Sequence, residues 1–361
     1  MENNNEQDQQ KKAENIRKKW TLATIGLSAL SLIMMALGKG KKKLLLLTAA
    51  FFFVSYTAEA QNQQNDTFPE ALPQGGTSVV VFNQTSFEPT VSYRNDVVYA
   101  QKNGKDLHLQ IITPYFKDRK PLPCIVYVQG SAWMKQNVYS CIPSLSRFAQ
   151  KGYVVAVVEY RDTSIEPFPA QTIDAKTAIR FMRKNAARYN IDPETIAIWG
   201  DSSGGHTSLM VAVTQDDEGL CDDDMYADVS CKVKASIAYY PPTDISVMKD
   251  YPSGLDHNKA DSPEGLLIGG KDIDKNMDIA KKASPLYYLS AAKSLVPVFL
   301  AAGTMDRTVP FSQTDIFAKK LNQLGKDYKY YALKGADHGS WEFWTDSMFD
   351  ILDQWLKEKL K

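Results

Sequence analysis

From about residue 97 the chain alternates two kinds of pattern. Apolar runs at 124–128, 153–158, 195–199, 235–239 and 296–301 are nearly unbroken and have the length of strands. Strands without a polar face are covered on both sides, as in a parallel sheet. Between them, 142–150, 172–188, 205–213 and 311–324 repeat apolar positions at helical spacing, and 343–360 closes the chain in the same way. The alternation predicts βαβ units: an α/β fold with a mostly parallel central sheet and helices on both faces.

Three stretches break that rhythm. Residues 97–100 and 107–111 are short β patterns around Asn103-Gly104, a hairpin signal, so the domain is expected to open on an antiparallel edge. A final strand is expected at 330–333, ending in a loop. Residues 243–293 are too long and too polar for an ordinary crossover. They read as an insertion above the strand ends, a cap or lid, with a decorated surface loop as the alternative.

Upstream of the domain the pattern changes character. Lys39, Lys41, Lys42 and Lys43 precede an apolar run at 44–54, and Ala58-Glu59-Ala60 places small residues ahead of Gln61. Basic, apolar and small residues in that order describe a secretory signal, here over about 35–60 of an N-terminal targeting region 1–60. A second apolar stretch, 20–37, has about the length that just spans a bilayer. Two readings stay open: a natural start at Met34 or Met35 and an exported product, periplasmic or extracellular, or a chain anchored in the membrane through this N-terminal segment. Residues 61–94, rich in Gln, Asn, Thr, Pro and Gly, read as a linker, which leaves 95–361 as the folded domain.

Composition adds limits. The 361 residues are 44% hydrophobic, enough for a large core. Forty-two basic residues balance 42 acidic ones, so no overall field favours nucleic acid, and a neutral or small substrate is expected. Cys124 falls in a strand pattern and is expected as a buried thiol, whereas Cys221 and Cys231 flank a short polar stretch and read either as a bridge or as two thiols. Asp216, Asp217, Glu218, Asp222, Asp223 and Asp224 read as a solvated acidic loop, with calcium binding as the alternative. No Cys or His spacing suits a metal, and no metal or other cofactor is expected.

The candidate chemistry starts at Gly200-Asp201-Ser202-Ser203-Gly204. Gly-x-Ser-x-Gly recurs by chance, but here it follows the buried strand 195–199 and opens the helix 205–213, the strand, sharp turn and helix that a nucleophile elbow requires. Ser202 is the expected nucleophile. A serine hydroxyl needs a base, and the chain holds four histidines. His108 lies in the hairpin, His206 sits on the elbow helix too close to reach over the serine, and His257 lies in the polar insertion. His338 remains, in the loop beyond the final strand. Asp306, after a strand and a glycine turn, is the expected acid, in the chain order Ser, Asp, His. Asp337 is set aside because neighbouring loop residues point apart. Charge on the substrate oxygen calls for backbone donors: Ser203 N–H is one, and Ser131, with Ala132, is assigned as its partner in the loop Gln129-Gly130-Ser131-Ala132-Trp133. Trp133 is placed as a substrate-pocket wall, with packing as the alternative.

Gly200 to His206, Asp261-Ser262-Pro263-Glu264-Gly265-Leu266-Leu267-Ile268-Gly269-Gly270, Gly303 to Pro310 and Asp337-His338-Gly339 together resemble the α/β-hydrolase superfamily. The resemblance covers about 96–361 and lies in the esterase/lipase branch, near hormone-sensitive lipase and the bacterial feruloyl-esterase-like domains. It implies the α/β-hydrolase fold and a serine esterase that cleaves carboxylic esters through an acyl-enzyme. For exported members it implies feruloyl or acetyl esters of plant cell-wall polysaccharide, so a small-molecule or carbohydrate-linked ester is the expected partner. A peptidase or amidase/formamidase of the same fold is the alternative, and a non-catalytic binding module the second. One departure stands out: relatives carry His-Gly-Gly-Gly where this chain has Gln129-Gly130-Ser131-Ala132, and the added side chains are expected to restrict the acyl group.

Overall fold

Asn103 and Gly104 both take positive φ, 51° and 71°, the backbone of a two-residue hairpin turn whose twist matches its strands. They join β1 (Thr90–Lys102) to β2 (Lys105–Tyr115) in an antiparallel pair. In the computed structural model, which describes residues 87–116, 120–221 and 225–361, this hairpin is one edge of an eight-stranded sheet. Thr90 lies inside the stretch expected as linker, so the edge strand begins earlier than its apolar pattern. The targeting region, residues 61–86 of the linker and Asp222 to Asp224 lie outside the described residues.

The apolar runs become β3 (Leu122–Val128), β4 (Val154–Val158), β5 (Ile191–Asp201), β6 (Ala235–Tyr239) and β7 (Val298–Gly303), followed by β8 (Tyr328–Leu333). The order is β1-β2-β4-β3-β5-β6-β7-β8, and from β4 to β8 every neighbouring pair is parallel. Alternation along each strand splits the core in two. Ile125, Tyr127, Trp199, Tyr239 and Phe299 pack on one face with Leu145 and Phe148 of α1 (Ile142–Ala149) and with Phe349, Leu352 and Leu356 of α9 (Asp346–Lys359). Cys124, Val126, Val128, Ile196 and Ile198 face the other way, onto Ala175, Ala178, Ile179 and Met182 of α2 (Ala170–Lys184), which the four-residue α3 (Ala186–Tyr189) follows. On that same face Leu209 and Val213 of α4 (Ser203–Val213) meet Phe317 and Leu321 of α8 (Ser312–Gln323). Each buried side chain of this size contributes roughly 1.5–3 kcal/mol relative to exposure.

The chain leaves β3 for β4 on one side and reaches β5 on the other. At such a reversal the loops beyond the strand ends diverge and leave a crevice. The ends of β3 and β5 meet there.

The expected insertion is real and has its own small core. Between β6 and β7 it folds into α5 (Pro263–Leu267), α6 (Met277–Lys282) and α7 (Pro285–Tyr288). Ile245, Met248, Leu267, Ile273 and Ala283 cluster with Val309 and with Trp133 from the loop after β3. Among the described residues no helix is long and apolar enough to cross a membrane.

Candidate active site

The turn after β5 is built on the absence of side chains. A Cβ on Gly200 would lie 2.1 Å from Gly204 O, and one on Gly204 would lie 1.9 Å from Val128 O, so neither position admits another residue. Ser202, at φ 53° and ψ −124°, takes a backbone that L residues rarely adopt. Its N–H donates to Tyr239 O at 2.9 Å and its carbonyl accepts from His206 N at 2.9 Å, which holds the strain in place. Helix α4 starts at the next residue and directs its free amides at the serine.

Three expected residues meet. His338 Nε2 lies 2.9 Å from Ser202 Oγ, and its Nδ1 lies 2.7 Å from Asp306 Oδ2. A carboxylate only accepts, so Nδ1 carries the ring proton and Nε2 offers a lone pair to the serine hydroxyl. Asp306 Oδ1 accepts from Thr308 N at 2.9 Å and Val309 N at 2.8 Å, which leaves Oδ2 for the imidazole. The Asp306 side chain is 1% exposed and that of His338 18% exposed, so the base has access to solvent while its acid does not. Asp337 faces away. Its carboxylate pairs with the Arg307 guanidinium and accepts from Arg307 N, which holds its acid strength well above that of an ordinary carboxyl.

The loop after β3 is tied to the elbow. Asp201 Oδ1 accepts from Gly130 N at 2.9 Å and from Tyr127 Oη at 2.5 Å, while Tyr240 Oη lies 3.4 Å from Oδ2. Burial pushes the Asp201 carboxyl up, against these hydrogen bonds and the nearby His338. Tyr240 also lays its ring against His338, centroids 4.7 Å apart. Neither Asp201 nor Tyr240 was marked by the sequence pattern: one is the variable position of the turn, the other follows a strand in an ordinary aromatic run.

Two expected assignments change. The Ser131 amide donates to Ser203 Oγ at 2.9 Å, so it is committed to the elbow and is not an oxyanion donor. Among the described residues the amides of Ala132, Trp133 and Ser203 make no hydrogen bond within the protein. Ala132 takes φ 56°, where a glycine would sit without strain. Trp133 takes the alternative role and packs in the small core of the insertion. It is 1% exposed, its Nε1 donates to His206 Nδ1 at 3.2 Å, and His206 Nε2 in turn donates to Ala283 O at 2.7 Å. His206 thus joins the elbow helix, the loop after β3 and the insertion, and burial pushes its imidazole down to about 4. His108 pairs with Glu159 at 2.8 Å in the hairpin, away from this site.

A cavity of about 220 Å³ adjoins the elbow, lined by Tyr127, Gln129, Gly130, Ser140, Ser144, Asp201 and Trp344 among others. Its lining includes Asp201, while Gln129 Oε1 is buried from solvent and among the described residues has no hydrogen-bond partner. Among the described residues no group of His, Cys, Asp and Glu is arranged to hold a metal ion.

Comparisons with known proteins place the chain in a family. The BD-FAE family model matches residues 109–321, a stretch that holds Ser202 and Asp306 and ends before His338. Esterase LipC of Mycobacterium tuberculosis (strain ATCC 25618 / H37Rv) is 27% identical over 244 residues, 65% of this chain and 55% of that protein. The chain spans about half the length of the curated relatives it matches. Among solved structures, a truncated carbohydrate esterase from gut microbiota superposes with a TM-score of 0.66 at 27% identity, covering 74% of this chain and 96% of that one. A thermophilic esterase from the Planctomycetes species Thermogutta terrifontis gives 0.60 at 26% identity, covering 74% and 92%.

Proposed function

The chain belongs to the BD-FAE family, in the esterase/lipase branch of the α/β-hydrolases, and on that footing we propose that it is a serine esterase acting on carboxylic esters through an acyl-enzyme. The observation that carries this reading is the unbroken line from Asp306 through His338 to Ser202, at 2.7 and 2.9 Å. His338 Nε2 takes the Ser202 proton as Oγ attacks the ester carbonyl. The oxygen, now negative, accepts from the amides of Ser203, at the start of α4 where the helix dipole favours the charge, and of Ala132 in the loop after β3. His338 then gives the proton to the departing alcohol. A water, deprotonated by the same nitrogen, releases the acid and restores Ser202.

The substrate class is the finer part of the proposal. Acetyl or feruloyl esters of plant cell-wall polysaccharide are supported by the similarity to a carbohydrate esterase from gut microbiota and by the cavity beside the elbow. Sugar hydroxyls are donors, and the Asp201 carboxylate lines this cavity beside Trp344. Export fits such a substrate, and its support is the Lys39 to Ala60 signal pattern.

The test is hydrolysis of a short chromogenic ester, methyl ferulate, acetylated xylan and an aminoacyl amide by the wild type and Ser202→Ala. Ester turnover by the wild type, lost in the variant, is expected. Equal turnover by both proteins, or cleavage of the amide alone, overturns the assignment.

A further inference from the structure

Asp306 is aimed by two peptide groups, and both are held from behind by the insertion. Thr308 N donates to Asp306 Oδ1 at 2.9 Å, and the carbonyl of that same planar peptide belongs to Arg307. Arg307 O accepts from Gly254 N at 2.7 Å. Val309 N donates to the same carboxylate oxygen at 2.8 Å, and the carbonyl of its peptide belongs to Thr308. Thr308 O accepts from Ser253 Oγ at 2.9 Å and from His257 Nε2 at 3.1 Å. A donor on a planar peptide's carbonyl fixes the direction of the N–H on the opposite side and polarises it.

His257 is itself over-determined. Its Nδ1 lies 3.0 Å from Glu264 Oε2, its Nε2 faces the Thr308 carbonyl and lies 2.8 Å from Ser253 Oγ, and the two side chains are 1% and 3% exposed. A carbonyl only accepts, so Nε2 donates to Thr308 O, and Nδ1 faces the Glu264 carboxyl. The other charges nearby are engaged elsewhere: Asp256 with Lys259 and the Asn258 amide, and Arg307 with Asp337. Glu264 lies in the first turn of α5, where Ser262 caps the helix by accepting from Gly265 N. A cap with no other duty does not need a buried carboxylate and imidazole at this point, since such groups are costly to desolvate unless they hold something.

We propose that His257, fixed by Glu264, is a positioning residue for Asp306: through the Thr308 carbonyl it sets the peptide amides that point the carboxylate at His338. The inference rests on the esterase reading. The insertion is then more than a cover over the strand ends, because it completes the acid side of the triad. Neither His257 nor Glu264 touches the substrate or the reacting atoms, so their loss acts on kcat rather than on binding.

The experiment compares His257→Ala, His257→Gln, Glu264→Gln and Ser253→Ala with the wild type, using kcat per active site titrated with an organophosphate, KM, and the downfield proton resonance between His338 and Asp306. His257→Ala is expected to lower kcat per titrated site by about tenfold to a hundredfold, the scale for misplacing a catalytic group by about 1 Å, with KM little changed. The side-chain amide of His257→Gln can donate to Thr308 O again, and it is expected to recover part of the loss. The resonance is expected to move or broaden in His257→Ala and to return toward its original position in His257→Gln. Wild-type kcat per titrated site in His257→Ala and Glu264→Gln, or a rise in KM alone, overturns the proposal. If His257→Ala does not fold, Ser253→Ala removes one donor to the same carbonyl from a half-buried position, and an unmoved resonance in it counts against the proposal. Should the wild type cleave no ester, the esterase reading fails by itself, and the resonance still decides whether His257 positions Asp306.

Discussion

His338 Nε2 and Ser202 Oγ stand 2.9 Å apart although 136 residues separate them. The serine follows β5 and the histidine follows β8, three strands away in the sheet. The gap is bridged over the end of β6, where the Tyr240 ring packs on the imidazole and its hydroxyl turns to Asp201 behind the serine. Base and nucleophile are therefore held through a common support, and the acid is held separately.

That separation gives unequal roles to the two aspartates near His338. Asp306→Asn places an amide against Nδ1, favours the wrong tautomer, and is expected to lower kcat by about 10⁴-fold. Asp337→Asn loses an exposed pairing with Arg307 and is expected to leave kcat within about tenfold, since exposed ion pairs contribute about 0–1 kcal/mol. Steady-state kinetics on a short ester separates them. A comparable loss in both variants would show that Asp337, not Asp306 alone, serves the imidazole.

Titration of His206 makes stability depend on pH. Burial pushes this imidazole down to about 4, below about 6.5 in an unfolded chain. The unfolded state thus takes up the proton first as pH falls, so the stability this site contributes is present above about 6.5 and is lost on the way down to about 4. The loss is on the order of 3 kcal/mol. His206→Gln has nothing to titrate there, so the gap between wild type and variant in urea midpoint is expected to close as pH drops through this window. A gap constant from pH 7 to 4.5 counts against the buried neutral ring.

The sheet and the sharp turn at Ser202 were legible in the sequence because each depends on local chemistry. Strand runs without a polar face announce a doubly covered sheet, and Gly200 and Gly204 announce a turn that admits no side chain. His338 could be reached by eliminating His108, His206 and His257, since each of those lies in a segment that cannot overhang Ser202. What stayed hidden depends on backbone partners far away in the chain. The Ser131 amide could not be seen to meet Ser203 Oγ, 72 residues on. His257 finds the Thr308 carbonyl across 51 residues, and a carbonyl leaves no mark in a sequence. Trp133 sits between two loops whose closure the pattern does not encode, so its burial under the insertion was equally out of reach.

Cys221 and Cys231 bring their sulfurs to 3.7 Å as free thiols. The contact between the two sulfurs, with the nearby Lys176, draws Cys231 toward its thiolate. A thiolate in contact with a second thiol is poised for exchange with a small disulfide such as oxidised glutathione. Each pair of thiols would yield one bond, two protons and two electrons, the latter taken by the glutathione disulfide. The bridge closes a loop of about ten residues and is expected to add about 2–3 kcal/mol to stability. A mass lower by two hydrogens and a raised midpoint check this. Two thiols that still titrate after treatment sink it.

Two glycines with one substitution show how strictly the elbow is built. A Cβ at Gly104 meets nothing within 4 Å. Gly104→Ala is therefore expected to cost only the left-handed backbone penalty, about 1–2 kcal/mol, lowered somewhat by the stiffer unfolded chain. At Gly204 the same methyl would stand 1.9 Å from Val128 O, a carbonyl of the central strand β3 that cannot swing aside as a side chain can. The overlap must be relieved by moving α4 and the end of β3 apart, at a cost of about 3 kcal/mol or more. That movement also separates the Ser203 amide from the Ala132 amide, because one rides on α4 and the other on the loop after β3. Gly204→Ala is thus expected to lose kcat by about 10²-fold even in the fraction that folds, as when one oxyanion donor is removed, whereas Gly104→Ala keeps it. Urea midpoints and kinetics on both variants provide the test, and a Gly204→Ala enzyme of ordinary stability and turnover would refute the close approach on which the elbow depends.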